Sequence, residues 1–416
     1  MKRYINFNQR PDYVKQLEDI GFNYWNLPSG PDNLPYYQEG VVYALSETEI
    51  DRIQHTTQEL HDMCIEVVEA MVSSGDYPDY FGLDCNSISA IEQSWKRGDP
   101  SLYGRFDLAF GQQNELKLLE YNGDTPVSIL ECSVAQWDYI SQLSEFPKSM
   151  QPEFGKYIPD AMKIQYNSID ETMIETWQRL FEPNTLLHFC ASGGFRHEDW
   201  GNLIYVMDNA FRAGMRVKDL QMEDIGVTAD GQFVDLQDQL INNAFKLYPW
   251  EWMLSEQFGS NIKTANTKWL EPAWKLLLSN KALLVKLWEM FPHHPNLLPA
   301  FVNKPSTWEG KFCKKNIHGR EGANIYIVDE NGERLGEGSH IVPEYNKWDS
   351  IYQQWLDVKQ HDGYYPNIGS WIIGNTACGM SIREDKNPIT GHNAFFASHL
   401  FVPYDLEEKF KKLWTN

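Results

Sequence analysis

Arg105, Asp107, Glu120 and Asn122 are the residues whose types and spacing could do chemistry. They lie in RFDLAFGQQNELKLLEYN (105–122), where two alternating segments flank the polar turn Gly111-Gln112-Gln113-Asn114. That pattern predicts a β-hairpin with a four-residue loop. Pairing Phe110 with Glu115 would set Arg105 opposite Glu120 and Asp107 opposite Leu118. Side chains alternate along a strand, and opposed residues share a face. All four polar groups then share one face. Carboxylates this close repel unless a cation or protons neutralise them. Oxygen ligands suit Mg²⁺, and an arginine beside them suits a phosphate that shares the metal. An ordinary solvated face with a cross-strand Arg–Glu pair is the competing reading.

Other elements must position this hairpin. A short helix is expected around Asp12–Ile20. Ser46-Glu47-Thr48-Glu49 fits a capping box opening a helix of about 25 residues. Pro126 precedes a helical SILECSVAQWDYISQL. TLLHFC (185–190) reads as a buried strand running through Ser192-Gly193-Gly194 into a helix, EDWGNLIYVMDNAFRAG. The glycine pair suits either a plain connection or a nucleotide turn. DIGVTADGQFVD predicts a hairpin at Asp230-Gly231, and residues 270–292 read as helical. From 324 onward short strands dominate. The fold class is α/β (α+β) with an antiparallel sheet-rich C-terminal lobe.

Further chemistry is spread along the chain. Lys315 precedes Gly319-Arg320-Glu321-Gly322, a loop whose backbone could cradle phosphate or simply close a hairpin. It is not a Walker A sequence. Arg383-Glu384-Asp385 ends a strand-like run, suiting either a metal–phosphate site or a surface ion pair. FKLYPWEWM (245–253) could line a pocket or fill the core. His293-His294 fits a helix-terminating turn, and no GxSxG elbow is present.

Composition sets the bounds. The 416 residues exceed one simple core, so two or three lobes are expected. A net charge of −22 argues against nucleic-acid partners. The six cysteines are scattered without CxxC, and no secretion signal or apolar span is evident, which predicts a reduced cytoplasmic protein with no membrane partner.

Together, RFDLAFGQQNELKLLEYNGDTP, FKLYPWEWM, SNKALLVKLWEMFPHHPNLLP, GREGANI, IYQQW and GMSIREDKNPITG resemble the glutathionylspermidine synthase family of ATP-grasp-like acid–amine ligases. The segments follow the family's order from about residue 20 to 405. The chain is most similar to the stand-alone acid–amine ligases. The resemblance implies an ATP-grasp-like fold with a preATP-grasp-type lobe and antiparallel sheet-rich lobes. It implies one synthetase module over 1–405, comprising a metal and acid-substrate region (about 20–130), a preATP-grasp-like lobe (131–255) and ATP-binding lobes (256–405), without an amidase domain.

By the same resemblance, Asp107, Glu120 and Asn122 match magnesium ligands, for two ions. Arg105 and Arg383 match arginines near the transferred phosphoryl group and the acid. Lys281 and Lys315 match ATP-phosphate lysines, with Gly319–Gly322 as the loop closing over ATP. Gln353 and Gln354 fall in the adenine segment. Where bifunctional relatives carry glutathione-holding serines, this chain has Thr125 and Val127. Thr125 keeps a hydroxyl for the substrate, whereas Val127 cannot hydrogen-bond through its side chain. The activity implied is ATP-dependent amide formation through an acyl phosphate, from a small carboxylic acid or peptide and an amine. The alternative is a nucleotide-binding or ATPase protein of the same fold without ligation.

Overall fold

The structure is a computed structural model describing residues 1–193, 198–306, 310–338 and 340–412. Gly194, the second glycine of the Ser192-Gly193-Gly194 turn, lies outside the described residues. Three sheets carry the architecture. The largest has seven strands in the spatial order Lys2–Tyr4, Tyr37–Ser46, Phe395–Val402, Thr376–Asp385, Tyr365–Ile373, Tyr103–Phe110, Leu116–Asn122. Every pairing in it is antiparallel except Tyr37–Ser46 with Phe395–Val402. Strands from both ends of the chain therefore build one sheet. A four-stranded parallel sheet takes Lys268–Leu270, Asn243–Leu247, Leu186–Ala191 and Arg216–Gln221 in that order. Five antiparallel strands between Ala300 and Gln354 form the third.

The helix Glu47–Ser74 covers one face of the large sheet. Ser46 Oγ accepts the Glu49 N–H while Glu49 reaches back to the Ser46 N–H at 3.0 Å, so the capping box forms. Its Ile53, Leu60, Val67 and Met71 pack with Phe106 and Leu108 in one core cluster. That leaves the opposite sheet face free for polar chemistry. No helix among the described residues is long and apolar enough to cross a membrane. The six cysteines are unpaired.

The stretch 270–292 is not one helix. A 3₁₀ turn at Ala273–Lys275 and a helical turn at Leu276–Ser279 precede a break, and helix resumes at Leu283–Met290. Asn280 causes the break. Its backbone is extended, its Oδ1 accepts the Ala282 N–H at 2.8 Å, and its Nδ2 donates to Phe81 O at 2.8 Å. An asparagine offering the backbone such partners competes with helix. The break lets the Lys281 N–H donate to Ile317 O at 2.9 Å, fixing Lys281 beside the end of the Phe312–Asn316 strand.

Candidate active site

The hairpin forms, but its register differs from the predicted one. Phe110 pairs with Leu116 rather than Glu115, and Leu108 with Leu118. A continued ladder would then oppose Phe106 to Glu120 and turn Glu120 toward the core. Instead the register shifts between Leu108 and Asp107, leaving Leu119 as an extra residue. Beyond it Asp107 pairs with Glu120 and Arg105 with Asn122. A bulge re-aims side chains in this way, so the four polar residues do share a face. The cause is long-range. Lys315 Nζ donates to the Leu119 carbonyl at 2.7 Å, Gln353 Nε2 to that of Leu118 at 3.0 Å, and the Leu118 N–H goes to Asn296 O.

The polar face opens into a cavity of about 470 Å³, within the range that holds small-molecule ligands. Arg105, Asp107, Glu120, Asn122, Thr125, Lys315, Gly322, Gln353, Gln354 and Arg383 all line it. Lys281 stands behind the wall, its Nζ 2.9 Å from Glu120 Oε2 and 2.6 Å from Gly319 O. Gly319 is likewise set back from the lining. Of Arg383-Glu384-Asp385, only Arg383 faces the cavity. Glu384 points to the other face, where Arg3 Nε holds it at 2.7 Å, and Asp385 caps the turn that follows. FKLYPWEWM does both things considered: Leu247, Pro249 and Trp252 line the cavity while Trp250 and Met253 are core.

Asp107 is held on several sides. Arg105 Nε donates to Oδ1 at 2.7 Å, and Asn367 Nδ2 to Oδ2 at 3.1 Å. Arg105 in turn donates to the Val127 carbonyl at 2.6 Å. Val127 thus serves the site through its backbone. Burial opposes the Arg105 charge, yet Asp107 and then Glu120 raise its pKa. Burial pushes the Glu120 carboxyl up, but Lys281 and Lys315 hold it at about 2. Glu120 is therefore ionised, with two lysines beside it. Asp107, Glu120 and the Asn122 amide present a hard-oxygen set that fits Mg²⁺. No group of three or more His, Cys, Asp or Glu that could hold a metal occurs among the described residues.

Gly369 pairs with Asp107 across the sheet, and a Cβ there would stand 2.8 Å from Arg105 Cδ. Gly369→Ala should displace the guanidinium. Because ångström-scale misplacement can cost about 10²-fold, we expect at least about a tenfold fall in turnover with the fold retained. Steady-state kinetics alongside circular dichroism checks this.

Sequence reasoning missed several residues here. Asn367 and Arg320 are among them, although Arg320 sits inside the GREGANI segment whose glycines were singled out. Two carboxyls, the buried Glu131 and the half-buried Glu198 on the cavity wall, were also missed. Glu131 accepts from the Tyr24 and Tyr36 hydroxyls at 2.9 and 3.1 Å. Burial pushes Glu131 up to about 7 against those hydroxyls and Arg383. Burial and then the Glu131 charge push Glu198 up to about 8. Both would titrate near 4.5 when exposed. These two carboxyls thus bind more protons in the folded state than in the unfolded between pH 4.5 and 8, so their own contribution to stability falls as pH rises through that window, while the buried imidazoles of His61, His318, His361 and His399, held below 6.5, act the opposite way up to that pH. Paired thermal melts isolate the effect: the melting temperature of Glu131→Gln relative to wild type should rise from pH 5 to 8, and a difference independent of pH would contradict the assignment.

Comparison with known proteins gives this geometry a context. The sequence model of the family described as glutathionylspermidine synthase preATP-grasp matches residues 4–402. A Haemophilus influenzae protein described as "Putative acid–amine ligase" is 42% identical, over 97% of this chain and 100% of that protein. Trypanothione synthetase from Crithidia fasciculata is 26% identical over 83% of this chain, and the bifunctional glutathionylspermidine synthetase/amidase of Escherichia coli 22% over 85%. The chain spans 54% and 57% of those two longer proteins. In fold it is similar to a glutathione synthetase-like effector from Globodera pallida, with a TM-score of 0.55 at 9% identity over 95% of this chain and 98% of that one. The chain belongs to the glutathionylspermidine synthase preATP-grasp family.

Proposed function

We propose that the chain is an ATP-dependent acid–amine ligase that forms an amide bond through an acyl phosphate, with Mg²⁺ as cofactor. The observation that carries this reading is the meeting, in one cavity, of an oxygen-ligand set, two arginines and the buried Lys315, with Lys281 behind the wall against Glu120. The named relatives, a ligase and synthetases, support it.

Asp107, Glu120 and Asn122 would hold the metal, as two ions, which supplies charge neutralisation between phosphate oxygens when bound. Lys281 and Lys315 set fixed positive charge beside Glu120, where the ATP phosphates belong. Gly322, Gln353 and Gln354 border the same space, and the adenine would lie against the two glutamines. Arg105 and Arg383 orient the acid, and Thr125 offers it a hydroxyl. One oxygen of the substrate carboxylate attacks the γ-phosphorus. The bond to the β,γ-bridging oxygen breaks, and ADP leaves. The arginines and lysines stabilise charge spread over the transferring oxygens. A neutral amine then attacks the acyl carbon, phosphate departs, and the amine proton is lost. No protein nucleophile is required.

The test is ADP release from Mg²⁺–ATP with and without a pool of amines and carboxylic acids that includes short peptides. Turnover that requires an acid and an amine together, with an amide product by mass, is expected. ATP binding without amide product under every combination would reassign the chain to a nucleotide-binding or ATPase role.

A further inference from the structure

The parallel strand Asn243–Leu247 carries a lysine where such strands carry apolar residues on both faces. Lys246 is fully buried, and its Nζ lies 2.6 Å from Asp124 Oδ1 and 2.9 Å from the Tyr248 carbonyl. Asp124 is also buried, and its Oδ2 accepts the Trp250 N–H at 3.0 Å. The Lys246 ammonium sits 4.6 Å from the centre of the Trp250 ring. Asp124 follows Asn122 by two residues and directly precedes Thr125, both of which line the cavity. Between them Gly123 presses against Leu278, where a Cβ would stand 2.8 Å from the leucine Cβ. The loop 122–125 is therefore fixed on two sides, from the parallel sheet and from the Leu276–Ser279 turn.

By simple alternation after Asn122, Asp124 would turn its carboxylate toward the metal face. The pairing with Lys246 turns it away and ties the loop to the neighbouring sheet. We propose that Lys246 and Asp124 are positioning residues that set the Asn122 amide and the Thr125 hydroxyl at the distance the cavity requires. The proposal rests on the ligase reading of that cavity. Neither residue touches the reacting atoms; each acts through the loop, as outer-shell partners do for metal ligands.

The same segment also reaches the ATP-covering side. Glu251, next to Trp250, pairs with Arg320, and Trp252 lies 5.4 Å beneath the Arg320 guanidinium. Displacing residues 246–252 would move both sides of the cavity, so the metal loop and Gly319–Gly322 share one support.

Two variants test this. Asp124→Asn keeps the shape but only one acceptor oxygen for two donors, the Lys246 ammonium and the Trp250 N–H, which now use separate oxygens. Asp124→Asn/Lys246→Met removes both charges together, a replacement that buried pairs tolerate. The probe is the non-hydrolysable analogue AMPPNP, titrated calorimetrically with Mg²⁺ present and absent, with circular dichroism and urea unfolding as controls. The expected result is folded variants that bind metal-free AMPPNP as wild type does but need about tenfold or more Mg²⁺ for the metal-dependent increment. An unchanged Mg²⁺ requirement in folded variants would overturn the proposal. Failure of both variants to fold would overturn it too, because the pair would then be a requirement of the scaffold. Wild type that binds no Mg²⁺–AMPPNP would instead reject the ligase reading itself.

Discussion

Asp107→Asn is expected to slow ATP-dependent ligation by about 10²–10³-fold, equivalent to about 3–4 kcal/mol of barrier. The asparagine keeps the volume and one acceptor oxygen, so the fold should survive. It loses the charge that balances Arg105 and the second oxygen that Asn367 now meets. Two consequences follow from the geometry. The metal set drops to a single carboxylate, Glu120. The Arg105 guanidinium also loses its nearest anion and is drawn toward Glu120, the other acid that stabilises its charge. Turnover should therefore fall much more than ATP affinity, because Lys281 and Lys315 are untouched. Activity within a few-fold of wild type, measured as ADP release under saturating substrates, would contradict the assignment.

Glu271→Ala should give the largest loss of stability, about 3–5 kcal/mol by urea unfolding. Glu271 and Lys275 are fully buried, 2.9 Å apart. The Glu271 carboxylate also accepts the Leu102 and Tyr103 N–H groups at 3.1 Å and the Ser101 hydroxyl at 3.0 Å. Alanine would leave the buried Lys275 ammonium without its counter-charge, holding only the Tyr103 carbonyl, and two backbone donors without their acceptor. Those donors begin the Tyr103–Phe110 strand, so the damage should reach Arg105 and Asp107. Glu271→Gln/Lys275→Met, which removes both charges, should recover most of the loss. A loss under about 1 kcal/mol for the alanine variant would mean that the pair does not anchor the strand.

What the chain discloses about itself follows the range of the forces involved. The capping box at Ser46, the hairpin around 111–114 and the strands after 324 are local patterns, and the structure contains them. The bulge at Leu119 is not local. It depends on Lys315 and Gln353, about 200 residues away, taking the carbonyls of Leu118 and Leu119. Hydrophobic period alone therefore placed the register one residue off at the turn. The Asn280 break was hidden for the same reason, since Phe81 supplies one of its partners.

Arg383 and Arg105 border one cavity because Tyr365–Ile373 lies between their strands, an adjacency that no spacing records. The run Arg383-Glu384-Asp385 left a metal–phosphate site and a surface ion pair both open, and the ordered family resemblance pointed to Arg383 alone. Lys246 did leave a signal: a lysine inside the apolar run AFKL of a buried strand demands a partner. Glu131 left a fainter one, because its tyrosine partners come from about a hundred residues earlier.

The most direct test of the central claim is an isotope transfer. The acid pool is supplied with ¹⁸O in its carboxylates, together with Mg²⁺–ATP and the amine pool, and the released phosphate is weighed. Attack of a carboxylate on the γ-phosphorus followed by amine displacement moves one carboxylate oxygen into phosphate, so phosphate carrying a single ¹⁸O is the predicted result. Turnover that releases only unlabelled phosphate would show that water, not the acid, receives the phosphoryl group, and the acid–amine ligase account would be wrong.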